Sequence, residues 1–131
     1  MDIFGQSCDI DSLMVLGRKY NLKVMTDSAQ APGVYNFERI TGTIADIGGF
    51  SLNYHKHINT GEGGIVITND DDLCERVQLI RNHGEAVVKN KNVKNIKNII
   101  GHNFRLGEIE SAMGIEPVSY THLTLPTKRI V

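Results

Sequence analysis

One lysine of the sequence has the surroundings that a nucleophilic amine needs. Lys56 follows an apolar, strand-like run and precedes the turn Gly61-Glu62-Gly63-Gly64. A lysine held between a strand end and a glycine-rich turn can lose solvent, which lowers the pKa of its amine and makes it reactive toward a carbonyl. Because an isolated lysine is ordinarily a solvated surface residue, this interpretation depends on the neighbouring side chains.

Three further polar residues extend the pattern around Lys56. Asp27 closes an earlier apolar run, Gln30 follows it by three residues, and Ser51 lies five residues before the lysine. A buried carboxylate at Asp27 would keep a pyridinium nitrogen protonated, and Ser51 would donate a hydrogen bond to a phosphate. Taken singly, Asp27 is equally suited to capping a turn and Ser51 to satisfying backbone groups. Together with Lys56 they predict a pyridoxal phosphate site.

The histidines offer an alternative, a metal site. His55 and His57 would project to the same face of a strand, with Glu62 as the nearest further ligand. A structural zinc ion usually takes about four ligands, so the sequence predicts no metal here. His83 and His102 are expected to be packed, hydrogen-bonded residues or substrate contacts.

The elements that must position these residues alternate between helix and strand. Asp9 is a good N-cap for a helix that reaches about Tyr20, and the run Leu22–Met25 is predicted to be a strand with Asp27 at its carboxyl end. Ligands bind at this end of strands in α/β sheets. Further predicted elements are strands over 46–52 and 64–68, a helix begun by Asn69 or Asp70 with Leu73, Val77 and Ile80 buried, and a last helix carrying Leu106, Ile109 and Met113.

Composition limits the classes of function. A chain of 131 residues is sufficient for one domain, and 14 basic against 15 acidic residues leave no excess positive charge for a nucleic acid. No apolar run is long enough to span a membrane, and the first residues do not resemble a signal peptide, so we expect a cytoplasmic protein. Cys8 and Cys74 are expected to be reduced thiols.

The character of the chain changes after Glu116. The segment 117–131 contains two prolines, has no helical period, and interrupts the last helix at Ile115-Glu116. We interpret it as a non-native, disordered tail translated from a sequencing adapter, the alternative being an ordinary β-prone segment. Residues 1–116 are therefore taken as the domain and 117–131 as the tail.

Seven short motifs follow one another along residues 1–116. They are Phe4-Gly5-Gln6, Thr26-Asp27-Ser28-Ala29-Gln30-Ala31, Asp46-Ile47-Gly48, Phe50-Ser51, Lys56 with Gly61-Glu62-Gly63-Gly64, Arg81-Asn82-His83-Gly84, and Gly101-His102-Asn103-Phe104-Arg105. In this order they resemble the DegT-type nucleotide-sugar aminotransferases, a branch of the fold-type I pyridoxal phosphate enzymes. The run from Lys56 to Gly61 is most similar to the perosamine-synthase-like subgroup.

This resemblance implies a role for each candidate residue. Lys56 would bind the cofactor covalently, Asp27 would pair with its pyridine nitrogen, and Gln30 would contact the ring face or its 3-hydroxyl. Ser51 would bind the phosphate. Asn103 would reach the phosphate of the neighbouring subunit's cofactor, which requires a homodimer.

The resemblance also implies a fold and a reaction. The chain would be part of the large α/β domain, a mostly parallel sheet flanked by helices, and would lack both the preceding third of that domain and the small domain. The parent enzyme would transfer nitrogen from glutamate to a nucleotide-linked keto-sugar for polysaccharide biosynthesis, whereas residues 1–131 alone would be inactive.

Two other functions remain open within the same resemblance. A sister group has histidine in place of the lysine and performs sugar 3-dehydration, and a non-catalytic module would bind pyridoxal phosphate without turnover. Lys56 favours the aminotransferase.

Overall fold

The computed structural model describes residues 1–85 and 99–124, which form three helices and five short strands. In chain order they are α1 (Ile10–Lys19), β1 (Met25–Asp27), β2 (Tyr35–Asn36), β3 (Arg39–Ile40), β4 (Ile47–Ser51), β5 (Gly64–Ile67), α2 (Asp71–Arg81) and α3 (Glu108–Thr124).

The central sheet has the strand order β1-β4-β5. Strand β1 runs parallel to β4, with Thr26 opposite Gly48, and β5 runs antiparallel to β4. Strands β2 and β3 form a separate antiparallel pair. One helix precedes the five strands and two helices follow them, so the strict alternation of helix and strand expected from the sequence is not observed in residues 1–85 and 99–124. The parallel pairing belongs to the two strands that carry candidate site residues.

The glycines of β4 allow the backbone to approach closely. Gly48 lies against the backbone of Gly42, so that a Cβ at position 48 would overlap the Gly42 carbonyl group. This contact accounts for part of the glycine enrichment between Gly42 and Gly64.

The first strand begins three residues later than the sequence predicts. The Leu22 N–H donates to the Gly17 carbonyl (2.8 Å) and closes the end of α1, and the Val24 N–H donates to the Asp46 carboxylate (2.8 Å). Leu22 to Val24 therefore connect helix to strand, and pairing with β4 starts at Met25. Asp27 remains the last residue of the strand.

Both predicted helix N-caps are confirmed. The Asp9 carboxylate accepts from the Ser12 N–H (3.2 Å), and the Asp70 carboxylate accepts from the N–H groups of Asp72 and Leu73. These bonds satisfy amide groups that have no partner inside the helix.

The buried face of α2 differs from the predicted stripe. Leu79 is buried at 3% exposure, whereas Ile80 is 38% exposed. Ile80 borders an open apolar cleft of about 820 Å³ between α2 and the sheet, which Phe50, Val66 and Phe104 also line. The prediction was wrong at Ile80 because residues 1–85 and 99–124 leave this side of the sheet uncovered.

A lysine and two carboxylates connect the starts of β1, β4 and α2. The Lys23 Nζ lies 2.9 Å from Asp70 Oδ2 and 3.3 Å from Asp46 Oδ1. The Val24 N–H and Lys23 hold the pKa of Asp46 below its usual value, and the two carboxylates raise the pKa of Lys23. This cluster fixes the end of the sheet opposite to the one that carries Asp27.

The last helix extends beyond its predicted end. The sequence predicts a stop at Ile115-Glu116 and disorder in the following residues, but α3 continues through Pro117 to Thr124. A proline removes its own N–H from the helical hydrogen bonds and its ring crowds the carbonyl of the preceding turn, but the helix continues, and the Ser119 hydroxyl donates to the Ile115 carbonyl (3.0 Å) across this turn. The remainder of the proposed tail, 125–131, lies outside the described residues.

Candidate functional site

Two candidate residues lie at neighbouring strand ends. Asp27 is the last residue of β1 and pairs with Gly49, and Ser51 is the last residue of β4. Because β1 and β4 are parallel, their carboxyl ends meet at the same edge of the sheet. The Ser51 hydroxyl accepts from the Asn53 N–H (3.2 Å), so its own proton remains available to donate.

Lys56 is carried by a closed loop that follows β4. The Leu52 N–H donates to the Gly63 carbonyl, and the Thr60 N–H donates to the Leu52 carbonyl (both 2.9 Å), so the two ends of the loop are held together. Inside the loop the Lys56 N–H donates to the Asn53 carbonyl (2.9 Å). Lys56 is half-buried.

The glycine-rich motif after Lys56 closes this loop. Gly61 has a φ of +80°, which favours glycine, and a Cβ at Gly63 would lie 2.6 Å from Thr60 Oγ1 and 3.0 Å from Leu106 Cδ1. The Glu62 carboxylate accepts from the Asn53 amide at 2.9 and 3.0 Å. The motif is therefore required for the shape of the lysine loop.

An open cleft of about 570 Å³ brings Lys56 and Gln30 together. Phe4, His55 and His57 also line it, whereas Asp27, Ser51 and Asn103 do not. Lys56 and Gln30 thus share the cleft, whereas Asp27 and Ser51 end the two strands that lead into its lining segments.

Asp27 is exposed, in contrast to the expected buried carboxylate. Alternate residues of a strand face opposite sides, and in β1 Thr26 takes the buried side while Met25 and Asp27 face outward. Asp27 Oδ1 accepts from the Ala29 N–H (3.0 Å), a turn interaction of the kind that the sequence also allowed. In this chain Asp27 is therefore accessible to a ligand rather than enclosed.

Asn103 lies where two of the sequence motifs meet. It forms an antiparallel bridge with Asn82, and the Phe104 N–H donates to the Arg81 carbonyl (2.9 Å). Arg105 donates to the Asn82 side-chain oxygen. Asn82 is buried, whereas Asn103 is exposed and free to face another molecule.

The residues at the cleft fit the chemistry of pyridoxal phosphate. Within residues 1–85 and 99–124 the Lys56 amine forms no hydrogen bond or ion pair, in contrast to Lys23, which contacts two carboxylates. A half-buried amine without a counter-ion suits covalent attachment to an aldehyde. The available hydroxyl of Ser51 and the accessible carboxylate of Asp27 match a phosphate and a protonated ring nitrogen.

The histidine pair lies in a turn, not on a strand. The rings of Tyr54 and His55 are 3.6 Å apart between centroids, and His57 is exposed. Across the described ranges 1–85 and 99–124, no group of three or more His, Cys, Asp or Glu residues is arranged to hold a metal ion. Nor does any helix in those ranges combine the length and apolar character of a membrane span.

Sequence reasoning missed a buried carboxylate beside the site. Asp2 is 1% exposed, and its carboxylate accepts from the Ser28 hydroxyl (2.6 Å) and the Cys8 N–H (2.9 Å). Burial by itself would raise the pKa of Asp2, but these hydrogen bonds together hold it below its usual value. The one signal in the sequence was its position just ahead of Phe4-Gly5-Gln6.

Comparison with known proteins identifies relatives of this chain. The chain is 36% identical over 113 residues to GDP-perosamine synthase of Caulobacter vibrioides, covering 86% of this chain and 29% of that protein. Among solved structures, the Helicobacter pylori aminotransferase PseC, involved in the biosynthesis of pseudoaminic acid, has a TM-score of 0.76 and 36% identity over 91% of this chain and 32% of its own.

A dehydratase is also structurally similar. GDP-4-keto-6-deoxymannose-3-dehydratase, solved with a trapped PLP-glutamate geminal diamine, has a TM-score of 0.78 and 26% identity, covering 90% of this chain and 34% of its own. The chain thus spans about a third of the length of these proteins, which confirms the prediction of a partial fold-type I domain.

The family comparison covers nearly the whole chain. The model of the DegT/DnrJ/EryC1/StrS aminotransferase family matches residues 1–129. That match includes every candidate residue. The predicted resemblance to the DegT-type aminotransferases, and pyridoxal phosphate as their cofactor, are confirmed at the level of the family. The chain therefore belongs to the DegT/DnrJ/EryC1/StrS aminotransferase family.

Proposed function

We propose that residues 1–116 are part of the large domain of a pyridoxal phosphate-dependent aminotransferase that acts on a nucleotide-linked keto-sugar. The observation that carries the proposal is the shared cleft of Lys56 and Gln30, next to the strand ends that bear Asp27 and Ser51. Below, the full-length polypeptide that includes residues 1–116 is called the complete protein.

Each candidate residue has a separate task in this proposal. The Lys56 amine would hold the cofactor through its aldehyde and would move the proton at the substrate Cα. Asp27 holds the proton on the pyridine nitrogen, Gln30 contacts the ring, and Ser51 donates to the phosphate. When bound, the cofactor supplies an electron sink for the substrate carbanion.

The proposal extends to substrates, assembly and location. Glutamate is the amino donor, and the product is an amino-sugar for polysaccharide biosynthesis in the cytoplasm. A relative solved with a PLP-glutamate adduct supports this donor. Asn103, which is exposed, would contact the phosphate of the neighbouring subunit's cofactor in a homodimer.

Reductive trapping tests the proposal. Borohydride reduction of the complete protein with pyridoxal phosphate, followed by peptide mass spectrometry, should place the adduct on Lys56. The Lys56→Ala variant should lose the adduct, whereas the matched variant Lys23→Ala, which removes a lysine committed to Asp46 and Asp70, should keep it. An adduct on another lysine, or none, would refute the assignment.

Sugar 3-dehydration is the second candidate function, because a dehydratase is among the similar structures and His57 lines the same cleft as Lys56. Incubation with glutamate and a nucleotide-linked 4-keto-6-deoxy sugar separates the two reactions. An aminotransferase yields an amino-sugar and one 2-oxoglutarate for each nitrogen transferred. A dehydratase also converts glutamate to 2-oxoglutarate, because the two electrons taken from glutamate reduce the sugar carbon as water is lost, but it yields a deoxygenated sugar and releases the nitrogen as ammonia.

A further inference from the structure

The buried carboxylate of Asp2 is the strongest polar anchor next to the site that the proposed reaction does not use. Its two oxygens accept from two different donors, the Ser28 hydroxyl at 2.6 Å and the Cys8 N–H at 2.9 Å. Ser28 is itself fully buried, so both partners of the shorter bond are removed from water. Loss of the acceptor would leave a buried hydroxyl without a partner, which is energetically costly.

The backbone around Asp2 is attached to the segment that carries Asp27 and Gln30. The Asp2 N–H donates to the Asp27 carbonyl (2.8 Å), and the Gly5 N–H donates to the Gln30 carbonyl (3.0 Å). The Phe4 N–H approaches the Gln30 side-chain oxygen at 3.4 Å. Residues 2–5 thus run along the segment 27–30 and contact it at both ends.

The opposite side of the same segment is fixed by the sheet. The Ser28 N–H donates to the Gly49 carbonyl of β4 (2.9 Å), while its hydroxyl donates to Asp2. Ser28 is therefore held from two directions. Asp27 and Gln30, the candidate residues before and after it, are both exposed, and Gln30 lines the Lys56 cleft.

We infer that Asp2 is a positioning residue, which acts through Ser28 to hold Asp27 and Gln30 in the orientation that the cofactor requires. The inference rests on the proposed function. A carboxylate suits this task because it accepts both hydrogen bonds at once, whereas a neutral amide offers one acceptor oxygen and must donate at the other position. Asp2 contacts no reacting atom, so its effect is on geometry.

The test compares two aspartates of the N-terminal region in the complete protein. Asp2→Ala removes the acceptor of Ser28, and Asp2→Asn keeps part of the hydrogen bonding. Asp9→Ala is the matched control, because Asp9 also accepts from a backbone N–H but caps α1 and has no contact with the segment 27–30. Ser28→Ala tests the same connection from the other side.

Two measurements separate positioning from general stability. The dissociation constant of pyridoxal phosphate should rise about tenfold to a hundredfold in Asp2→Ala and Ser28→Ala, because the segment that carries Asp27 and Gln30 loses a buried hydrogen bond to a charged group. It should rise less in Asp2→Asn and remain unchanged in Asp9→Ala. Hydrogen exchange of the cofactor-free protein should become faster at residues 27–31 in Asp2→Ala, but not in β5.

The outcomes distinguish the inference from the proposed function. Unchanged cofactor affinity in Asp2→Ala, or exchange that increases equally throughout the protein, would overturn the positioning role and leave the proposed function intact. Failure of the unsubstituted protein to bind pyridoxal phosphate would refute the proposed function. In that case, faster hydrogen exchange at residues 27–31 in Asp2→Ala would show that Asp2 makes a structural contact, and the inferred link to a cofactor would be overturned.

Discussion

The apolar cleft between α2 and the sheet predicts that residues 1–131 do not form a stable domain when expressed alone. Met25 is 73% exposed, Phe104 66% and Val66 52%, and all three line the cleft. Full burial of such side chains contributes about 1.5–3 kcal/mol each. At these exposures roughly two thirds of that is missing, so the three residues together forgo about 3–6 kcal/mol, comparable to the lower end of the total stability of a domain.

The assay is a thermal and urea melt of the 131-residue chain, followed by near-ultraviolet circular dichroism and a half-reaction with glutamate. We expect a broad, non-cooperative transition and no conversion of bound cofactor to pyridoxamine phosphate. A cooperative melt would refute the argument from exposed surface. Turnover would refute the view that the site needs the rest of the parent protein.

A substitution on the same surface makes the reasoning sharper. Val66→Thr replaces a methyl group by a hydroxyl of nearly equal size, and in the isolated chain its side chain can reach water. In the complete protein, where we expect this face to be covered, the hydroxyl would be buried and the variant should lose about 1–3 kcal/mol of stability. An unchanged stability of the variant complete protein would show that the face is not covered.

Three further predictions concern the complete protein. Asp27→Asn should retain the covalent cofactor but lower turnover strongly, because an unprotonated ring is a poor electron sink. Steady-state rates of this variant and of Asp71→Asn, an exposed control on α2, check this, and equal rates of the two variants would remove Asp27 from its role. In Asp46→Asn the melting temperature should fall less steeply as the pH is lowered. The pKa of Asp46 in the folded protein lies below its usual 3.8, so its ionised carboxylate stabilises the fold above pH 3.8 and this stabilisation is lost as the pH falls through the folded-state pKa. Melts over a pH series check this. Gly63→Ala should cost about 1–3 kcal/mol and lower the cofactor content, since its Cβ would crowd Thr60 and Leu106, whereas Gly49→Ala, whose nearest neighbour is the Thr26 carbonyl oxygen at 4.0 Å, should be tolerated. Similar melting temperatures for the two glycine variants would contradict this.

The sequence predicted correctly those helix starts and strands that depend on residues close together in the chain. Asp9 and Asp70 cap their helices as expected, because an N-cap depends on the side chain and the next three residues. Strands β4 and β5 also lie within their predicted ranges. The start of β1 was wrong, since it depends on Asp46, more than twenty residues away, which takes the Val24 N–H.

The candidate site could be predicted as residue types but not as geometry. The motifs indicated Lys56, Gln30 and Asn103, but no periodicity indicates that the first two share a cleft while Asn103 pairs with Asn82. The burial of Asp2 depends on a tertiary contact with Ser28, 26 residues away in the chain. The exposure of Ile80 depends on what covers the sheet, which the local pattern does not contain.

The bridge between Asn82 and Asn103 has a consequence for how this region can change. The His83 N–H donates to the His102 carbonyl (3.0 Å), and the Gly84 and Gly101 backbones lie in contact, so the chain leaves and returns at two fixed, adjacent points. Asn103 is therefore held by the residues that end α2 as well as by its own neighbours in the chain, so a substitution at Asn82 should displace Asn103 although the two lie 21 positions apart.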